Sequence, residues 1–338
     1  MERVQIGLPH VAKPSKGTPG GGAVTRRKKK VHVVVVGSTN FDLVVKAARL
    51  PKEGESMLAS NLKFFPGGKG ANQAVGAARL GARTTFIGAV GKDPLGDYLV
   101  RCLKGSGIDT AWVKRHPTHT TGCAFITVYP NGNNSIVVDP GANYTLQPRD
   151  IERAKNLIAR ADALATVLEI PLETVEAAIR LARKAGKFTV LDAGPPRGCP
   201  PEILKLPDIV SPNETELEEL SGEKVSGRDS ARHAAEKLLE LGVRTVVLKL
   251  GGDGSMLVTA KGSTHFPAHK VEVVDPTAAG DAFTAALTVQ LGAGFAIEDA
   301  IRYANVAGAL ATTRLGAQPS LPTRKEVEAF AARAAKLG

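Results

Sequence analysis

Short apolar runs alternate with longer amphipathic stretches along most of the chain. Runs made mainly of valine, leucine and isoleucine lie at residues 31–37, 84–90, 164–168, 188–191, 208–210 and 244–250. Stretches with apolar residues at helical spacing lie among them, at residues 69–80, 95–104, 172–185, 214–220, 230–241 and 297–313. Apolar strands that alternate with helices predict a parallel sheet covered by helices on both faces.

A second group of strand patterns falls outside this alternation. Residues 43–65 lack helical periodicity, and residues 121–138 predict a hairpin around the turn at residues 130–133. Strands this far from the alternating pattern predict a separate small sheet, built from parts of residues 39–66 and 118–140. The predicted fold is therefore α/β, with a Rossmann-type doubly wound, mostly parallel sheet and a small β-sheet.

The sequence VDPTAAGDAFTAALT at residues 274–288 predicts a turn that opens a helix. A strand is expected at residues 271–274, and the helix is expected to begin at or near Asp281. N–H groups at a helix start attract anions, so the amides of residues 278–281 can hold a phosphoryl group. Asp281 can then accept the proton of an attacking hydroxyl. The alternative is an ordinary strand–turn–helix in which Asp281 only caps the helix.

A second glycine-rich turn, FPGGKGAN at residues 65–72, precedes the predicted helix at 69–80. Its polar residues Lys69, Asn72 and Gln73 are able to bind several hydroxyl groups. Two glycine-rich helix starts far apart in the chain suggest one site for a polyol and one for a phosphate. Together they resemble the two signature segments of the PfkB family of carbohydrate kinases, and the sequence is most similar to the members that phosphorylate ribose.

Polar residues follow the apolar strands at several places. Asn40 and Asp42 come after the first strand, Glu169 and Asp192 after two others, and SPNETE and KLGGDG follow two more. Ligands of doubly wound sheets gather at the carboxyl ends of the strands, which favours a shared site. Each residue also has a structural interpretation as a turn, a helix cap or a tight turn between strands.

The resemblance implies specific roles for these residues. Asp281 is the expected general base, and ATP with Mg²⁺ is the expected phosphoryl donor. The sugar site is expected to comprise Asn40, Phe41, Asp42, Gly68, Lys69, Gly70, Ala71, Asn72, Glu169 and Asp281. The nucleotide site is expected to comprise Asn213, Glu216, Lys249, Leu250, Gly251, Gly252, Asp253, Gly254, Gly280, Asp281 and Asn305. A monovalent cation, K⁺, is expected at Asp275, Thr277, Ala311, Arg314, Gly316 and Ser320. Asp192 stays outside these sets because asparagine is often found at that position in the ribose-phosphorylating members.

The resemblance also implies the reaction and the assembly. The expected activity is transfer of the γ-phosphoryl group of ATP to O5 of D-ribose, giving D-ribose 5-phosphate and ADP. The small sheet is expected to act as a lid over the sugar, and two lids to join in a homodimer. A related kinase acting on deoxyribose, fructose, another ketose or a nucleoside is the alternative. A sugar- or nucleotide-binding regulator without catalysis is an alternative of another class.

Charge is concentrated in the first thirty residues. The formal net charge is +11, and eight Lys/Arg against Glu2 in residues 1–30 account for most of it. This segment is interpreted as a disordered basic tail, with an organellar transit peptide or a nucleic-acid arm as weaker alternatives. Folded structure is expected over residues 31–338.

Other sequence features bear on location and on competing chemistry. Three cysteines without CxxC spacing and no long apolar run predict a cytoplasmic protein that binds neither membrane nor nucleic acid. Neither a Walker A motif nor an HExxH zinc motif occurs.

Overall fold

Thirteen strands form two sheets within the part of the chain that the computed structural model describes, residues 30–131, 133–196 and 198–334. The first seven strands are β1 (His32–Val36), β2 (Asn40–Lys46), β3 (Ser60–Gly67), β4 (Arg83–Gly91), β5 (Asp109–His116), β6 (Cys123–Val128) and β7 (Asn134–Asp139). The other six are β8 (Ala163–Val167), β9 (Phe188–Asp192), β10 (Ile209–Ser211), β11 (Thr245–Lys249), β12 (Ser255–Thr259) and β13 (Gly262–Phe266).

The large sheet has nine strands in the order β13-β12-β11-β10-β9-β8-β1-β4-β5. Its pairs are parallel except for β11/β12 and β12/β13, which are antiparallel. Strand β1 is buried along its whole length, and its valines alternate between two hydrophobic cores. Val34 and Val36 belong to one core, and Val33 and Val35 to the other. This alternation is the reason for the continuous apolar run in the sequence.

Helices cover both faces of the large sheet. One face carries α1 (Lys69–Arg79), α2 (Pro94–Gly105), α9 (Ala279–Gly292), α10 (Ile297–Ala311) and α12 (Arg324–Ala334). The other carries α3 (Pro148–Arg153), α4 (Lys155–Arg160), α5 (Leu172–Lys184), α6 (Pro201–Leu204), α7 (Glu214–Ser221) and α8 (Arg228–Glu240). The short helix α11 (Ala317–Ser320) and the 3-10 turns Gly141–Thr145 and Gly251–Asp253 complete the elements. No helix among the described residues is long and apolar enough to cross a membrane.

The small sheet has the strand order β3-β2-β6-β7. Its strands fall in the two stretches from which a small sheet is expected, except that β3 extends one residue past residue 66. The β6–β7 hairpin pairs Cys123 with Asp139 and Val128 with Asn134, as the turn around residues 130–133 predicts. A row of apolar side chains crosses all four strands, because Leu43 lies opposite both Phe64 and Phe125, and Phe125 lies opposite Val137.

The strand predicted at residues 271–274 is wrong. This segment follows β13 as an irregular chain, and the N–H groups of Val274 and Asp275 both donate to the carbonyl of Thr312 after helix α10. In the described part of the chain β13 forms the sheet edge, and the segment passes to the helix layer instead of pairing with that edge. The valines that suggested a strand remain more than half exposed at Val273 and Val274.

Candidate active site

Asp281 is where the two glycine-rich turns meet. Asn72 Nδ2 on α1 donates to Asp281 Oδ2 over 2.8 Å, and Gln73 Nε2 donates to Asp281 Oδ1 over 3.3 Å. The carboxylate lies in the first turn of α9 and is only 6% exposed. Two amide donors fix the orientation of this acceptor beside the carboxyl edge of the sheet.

The surroundings of Asp281 raise the pKa of its carboxyl group toward neutral pH. Burial raises its pKa to about 7, the positive charge of Lys69 opposes this rise, and the negative charge of Asp192 adds to it. An aspartate with its ordinary pKa is a weak base at neutral pH. The raised pKa lets this carboxylate take a proton from a hydroxyl more readily while it is still ionised above pH 7.

The turn before α9 carries unpaired N–H groups at its mouth. Ala278 caps the helix with a left-handed backbone (φ 62°), a conformation that costs about 1 kcal/mol for a residue with a Cβ. Ala279 N donates to the carbonyl of Pro276, so this amide is used within the turn. Among contacts of the described residues, the N–H groups of Ala278, Gly280 and Asp281 have no acceptor. Of the amides predicted at residues 278–281, these three remain available to an anion.

Asn40 and Asp42 lie on the same face of strand β2, as their spacing predicts. Both are buried, and Asn143 Nδ2 holds Asn40 by donating to its Oδ1 over 2.8 Å. Burial raises the pKa of Asp42 to about 7, with further contributions from Glu169 and Asp281. Gly67 on the neighbouring strand leaves room for this carboxylate, since a Cβ there would lie 2.0 Å from Asp42 Oδ2.

Glu169 joins the β1 loop to the start of α1. Its Oε2 accepts from the hydroxyl of Ser38 and, over 3.1 Å, from the backbone N–H of Lys69. Gly68 and Gly70 allow this approach: Cβ atoms there would lie 2.7 Å from the Thr39 Cα and from the Ser38 nitrogen, respectively. The glycines of the first turn thus bring α1 against the end of β1.

Two lysines and two carboxylates form a buried network next to Asp281. Lys249 Nζ is 3.0 Å from Asp192 Oδ2, and Lys69 Nζ is 3.3 Å from both Asp192 Oδ1 and Glu216 Oε1. Burial alone would raise the pKa of Asp192, but the two lysines lower it below its ordinary value. Burial likewise opposes the charge of Lys69, and the surrounding carboxylates keep its pKa well above the usual range. The network fixes two ammonium groups beside the anion turn.

A cavity of about 550 Å³ opens beside Lys249 and the start of α9. Glycines of the β11–β12 turn form one wall, and Val273, Phe283 and Ala309 supply apolar surface. Asn305 also lines it, with its Nδ2 donating to the carbonyl of Phe266 over 3.2 Å. A partly apolar cavity of this volume that begins at an anion turn fits a nucleotide whose phosphates point toward Asp281.

The structure brings most of the predicted nucleotide residues to this cavity. The lining includes Asn213, Lys249, Gly251, Gly252, Gly254, Gly280 and Asn305. Leu250 instead packs in the hydrophobic core, and Asp253 lies near Arg228 with its side chain 64% exposed. Glu216 forms a capping box with Asn213, whose N–H donates to Glu216 Oε2 over 2.8 Å. For Leu250 only the backbone remains available to a ligand, whereas the exposed Asp253 side chain lies outside the residues that line the cavity.

The predicted cation residues come from two segments that adjoin. Asp275 Oδ2 accepts from Gly316 N over 2.8 Å, and Asp275 Oδ1 accepts from Thr277 N over 2.9 Å. The Arg314 guanidinium is paired with Glu326, and Ser320 Oγ donates to the carbonyl of Ala317. No cluster of three or more His, Cys, Asp or Glu suited to a metal occurs in the described ranges. Asp275 thus joins the two segments, while the side chains of Arg314 and Ser320 already have partners.

The match to known proteins decides the family. The model of the pfkB family carbohydrate kinases matches residues 30–324 of the chain. The chain belongs to the pfkB family of carbohydrate kinases. This pfkB kinase is 40% identical over 297 residues to a ribokinase of Staphylococcus aureus (strain COL), a match that covers 87% of this chain and 98% of the relative.

Two further comparisons bear on the site of this pfkB kinase. A deoxyribokinase of Salmonella typhi is 35% identical over 301 residues, covering 89% of this chain and 98% of the relative. The structure of Arabidopsis thaliana ribokinase complexed with ribose and ATP superposes with a TM-score of 0.82 at 36% identity, covering 89% of this chain and 98% of that one. The predicted resemblance and the ribokinase-like α/β fold are confirmed, and the protein is a phosphotransferase.

One predicted residue lies away from the candidate site, and several residues that were not predicted belong to it. Phe41 points to the opposite face of β2 from Asn40, where its ring packs against Phe64 and Tyr98. Asp192 is completely buried at the centre of the lysine network, although the sequence left it outside the predicted site. Its position directly after an apolar strand was the available signal. Ser38, Asn143 and Thr284, which orient Glu169, Asn40 and Asp192, gave no signal in the sequence.

Proposed function

We propose that this pfkB kinase transfers the γ-phosphoryl group of ATP to O5 of D-ribose. The observation that carries the proposal is the buried carboxylate of Asp281, set between a polar cradle and a nucleotide-sized cavity. On one side lie Asn40, Asp42 and Asn72, which suit a small polyhydroxylated ring. On the other side the cavity begins at Gly280. The named activities of the ribokinase relative and of the ribose- and ATP-bound neighbour support the same substrate pair.

Each residue contributes a distinct part of the reaction. Asp281 accepts the proton of the attacking hydroxyl as the new bond to phosphorus forms. The N–H groups of Gly280 and Asp281 stabilise the negative charge on the transferred group. Lys249, held by Asp192, neutralises charge on the phosphates of ATP. Asn72 orients the base and holds the sugar, and its buried Oδ1, which has no hydrogen-bond partner among the described residues, is free to accept from a sugar hydroxyl.

Two ions complete the proposal. Mg²⁺ is expected to arrive with ATP, where it offsets phosphate charge. Asn213, which lines the cavity, and its partner Glu216 are the residues that we propose to contact the ion through water. The proposed K⁺ site uses backbone carbonyls around Asp275 and Gly316, because oxygen donors without an acidic cluster suit a monovalent cation. When bound, the ion adds positive field beneath the anion turn.

The small sheet supports the proposed lid and homodimer. Phe64 and Phe125 are each 51% exposed and Val137 is 68% exposed, although they form one apolar row across the sheet. A second copy of the same sheet is the partner that we propose for this surface. We also propose a cytoplasmic location, which suits three free cysteines.

Phosphorylation of 2-deoxyribose is the second candidate, because the deoxyribokinase relative is matched over nearly its whole length.

The deciding experiment measures ADP release from ATP·Mg with D-ribose, 2-deoxyribose, fructose and adenosine, each with K⁺ and with Na⁺. We expect the highest kcat/KM for D-ribose and a rise with K⁺. A higher value for deoxyribose would replace the proposed substrate, while no turnover on any of the four would favour a binding protein.

A further inference from the structure

A second, larger cavity lies at the opposite edge of the nine-stranded sheet. Its volume is about 1060 Å³, and it is lined by residues at the amino ends of four adjacent strands. Arg83 begins β4 and lies directly opposite His32 in β1, while Asp162 and Lys187 immediately precede β8 and β9. The candidate active site is at the carboxyl ends of the same strands. The five residues of β1 separate the two sites by about 15 Å.

The lining of this amino-edge cavity is strongly basic. Lys30, Arg83, Arg160 and Lys187 face a single carboxylate, that of Asp162. Within the described part of the chain, none of these four cations takes part in an ion pair. Asp162 Oδ2 already accepts the backbone N–H of His32 over 2.7 Å. The cavity therefore has positive charge that the fold itself does not neutralise.

Two aromatic side chains also line the cavity. Trp112 on β5 is partly buried against the hydrophobic core and also lines the cavity. His32 is buried, and its Nε2 lies 3.0 Å from Thr85 Oγ1. Burial lowers the pKa of His32, and the positive charge of Arg83 lowers it further. Tryptophan offers a flat apolar surface next to the cations, a combination that suits an anion carrying a ring or a sugar.

A simpler explanation covers only part of this arrangement. Arg160 ends helix α4 and Lys187 follows helix α5, and cations are favourable at helix C-termini. That effect accounts for one cation at each helix end. It does not account for Lys30 and Arg83, which belong to no helix, or for the convergence of all four on one cavity beside a tryptophan.

We propose that the amino-edge cavity binds a phosphorylated small molecule. Lys30, Arg83, Arg160 and Lys187 bind the phosphate oxygens, and Trp112 contacts the remainder of the ligand. Charge-assisted hydrogen bonds from arginine and lysine are the strongest contacts available for a phosphate in water. This site is separate from the proposed ATP site and does not depend on the proposed function.

The chain contains one tryptophan, so its fluorescence reports directly on this cavity. The experiment titrates the full chain with inorganic pyrophosphate and, separately, with AMP at constant ionic strength, and follows the emission of Trp112. We expect a saturable change with at least one probe. The double variant Arg160→Gln/Lys187→Gln should raise the Kd about tenfold or more, because two charge-assisted contacts are lost.

Two control proteins isolate the cavity. Lys261→Gln/Lys325→Gln removes the same amount of charge from exposed positions and should leave the Kd unchanged. Lys249→Gln, which alters the proposed ATP site, should also leave this titration unchanged. Arg160→Lys/Lys187→Arg keeps both charges and should retain binding if the fold is intact. Three results would overturn the proposal. The first is that no probe gives a saturable change in emission, and the second is that the exposed-charge control loses as much affinity as the cavity variant. The third is that Lys249→Gln loses binding while Arg160→Gln/Lys187→Gln retains it.

Discussion

The side-chain amide of Asn72 donates to Oδ2 of Asp281 over 2.8 Å and links the first turns of helices α1 and α9 across 209 positions of sequence. This contact places the proposed base within reach of the proposed sugar cradle. Because a buried carboxylate with two fixed donors cannot reorient freely, the direction in which Asp281 accepts a proton is set before substrate binds.

Replacement of Asp281 tests the proposed base. Asp281→Asn keeps the size of the side chain but removes the proton acceptor, so kcat should fall by about 10²–10⁴-fold. Sugar affinity, measured by isothermal titration calorimetry, should stay within a few-fold. Asp299→Asn, an exposed aspartate in the first turn of α10, is the matched control and should behave as wild type. Unchanged turnover in Asp281→Asn would exclude the base assignment.

The pH dependence of the rate follows from the raised pKa of Asp281. Because only the ionised carboxylate accepts a proton, kcat at saturating sugar should decrease as the pH falls through about 7. With an ordinary aspartate pKa, this decrease in kcat on the acid side would occur near pH 4. Asp42 also has a pKa raised to about 7, so Asp42→Asn is the necessary companion. If the decrease in kcat below about pH 7 disappears in Asp42→Asn while kcat remains high, the decrease reports the titration of Asp42 rather than that of Asp281.

Asp192 should matter for both stability and nucleotide binding. Asp192→Asn removes the charge that pairs with Lys249 and Lys69, leaving buried ammonium groups without their main partner. We expect the free energy of unfolding at pH 7 to drop by about 3 kcal/mol and the KM for ATP to rise. The control Asp97→Asn breaks an exposed pair with Arg115 and should cost less than about 1 kcal/mol. Equal losses in urea unfolding of the two variants would refute the role of the buried network.

Gly67 tests whether Asp42 holds the sugar. In Gly67→Ala the new methyl group would overlap the Asp42 carboxylate, which must move out of its position. The KM for the sugar should rise about tenfold or more while the KM for ATP changes little, since one charged hydrogen-bonding group is displaced. Gly105→Ala adds the same methyl group where nothing lies within 4 Å and should have no effect. An unchanged sugar KM would mean that Asp42 is not a sugar ligand.

The apolar row on the small sheet should hold the proposed homodimer together. Phe125→Glu puts a charge at the centre of this row, between Leu43 and Val137. In analytical ultracentrifugation we expect wild type to sediment as a dimer and Phe125→Glu as a monomer. Leu241→Glu changes an exposed leucine after helix α8 and should leave the assembly intact. A monomeric wild type would remove the basis for this interface.

Much of the architecture was predictable from the sequence because it depends on local periodicity. The valines of β1 are buried on both faces, so they form a continuous run, and the helix of residues 69–80 was placed within one residue of α1. The failure at residues 271–274 has a physical reason. β-Branched residues favour a strand, but a segment pairs with a sheet only where the rest of the chain holds it there, and here the N–H groups of Val274 and Asp275 donate to Thr312 instead.

Side-chain partnerships were less predictable. Phe41 and Asn40 are adjacent in sequence, yet they point to opposite faces of β2, one toward the apolar row and the other toward the site. Leu250 sits within the glycine-rich stretch after β11 but belongs to the core. In both cases the motif located the segment correctly, while the face of the strand and the packing around it decided the role of the side chain.

The sequence by itself determined the alternation of strands and helices, the two glycine-rich turns and the identity of Asp281 as the acidic residue of the second. These features rest on interactions between residues close in the chain. Tertiary structure alone decided that Asn72 contacts Asp281, that Asp192 joins Lys69 to Lys249, and that four cations converge on the amino-edge cavity. The physical reason is that the charge and hydrogen-bonding state of a buried group depend on neighbours distant in sequence, and only the packed fold brings them together.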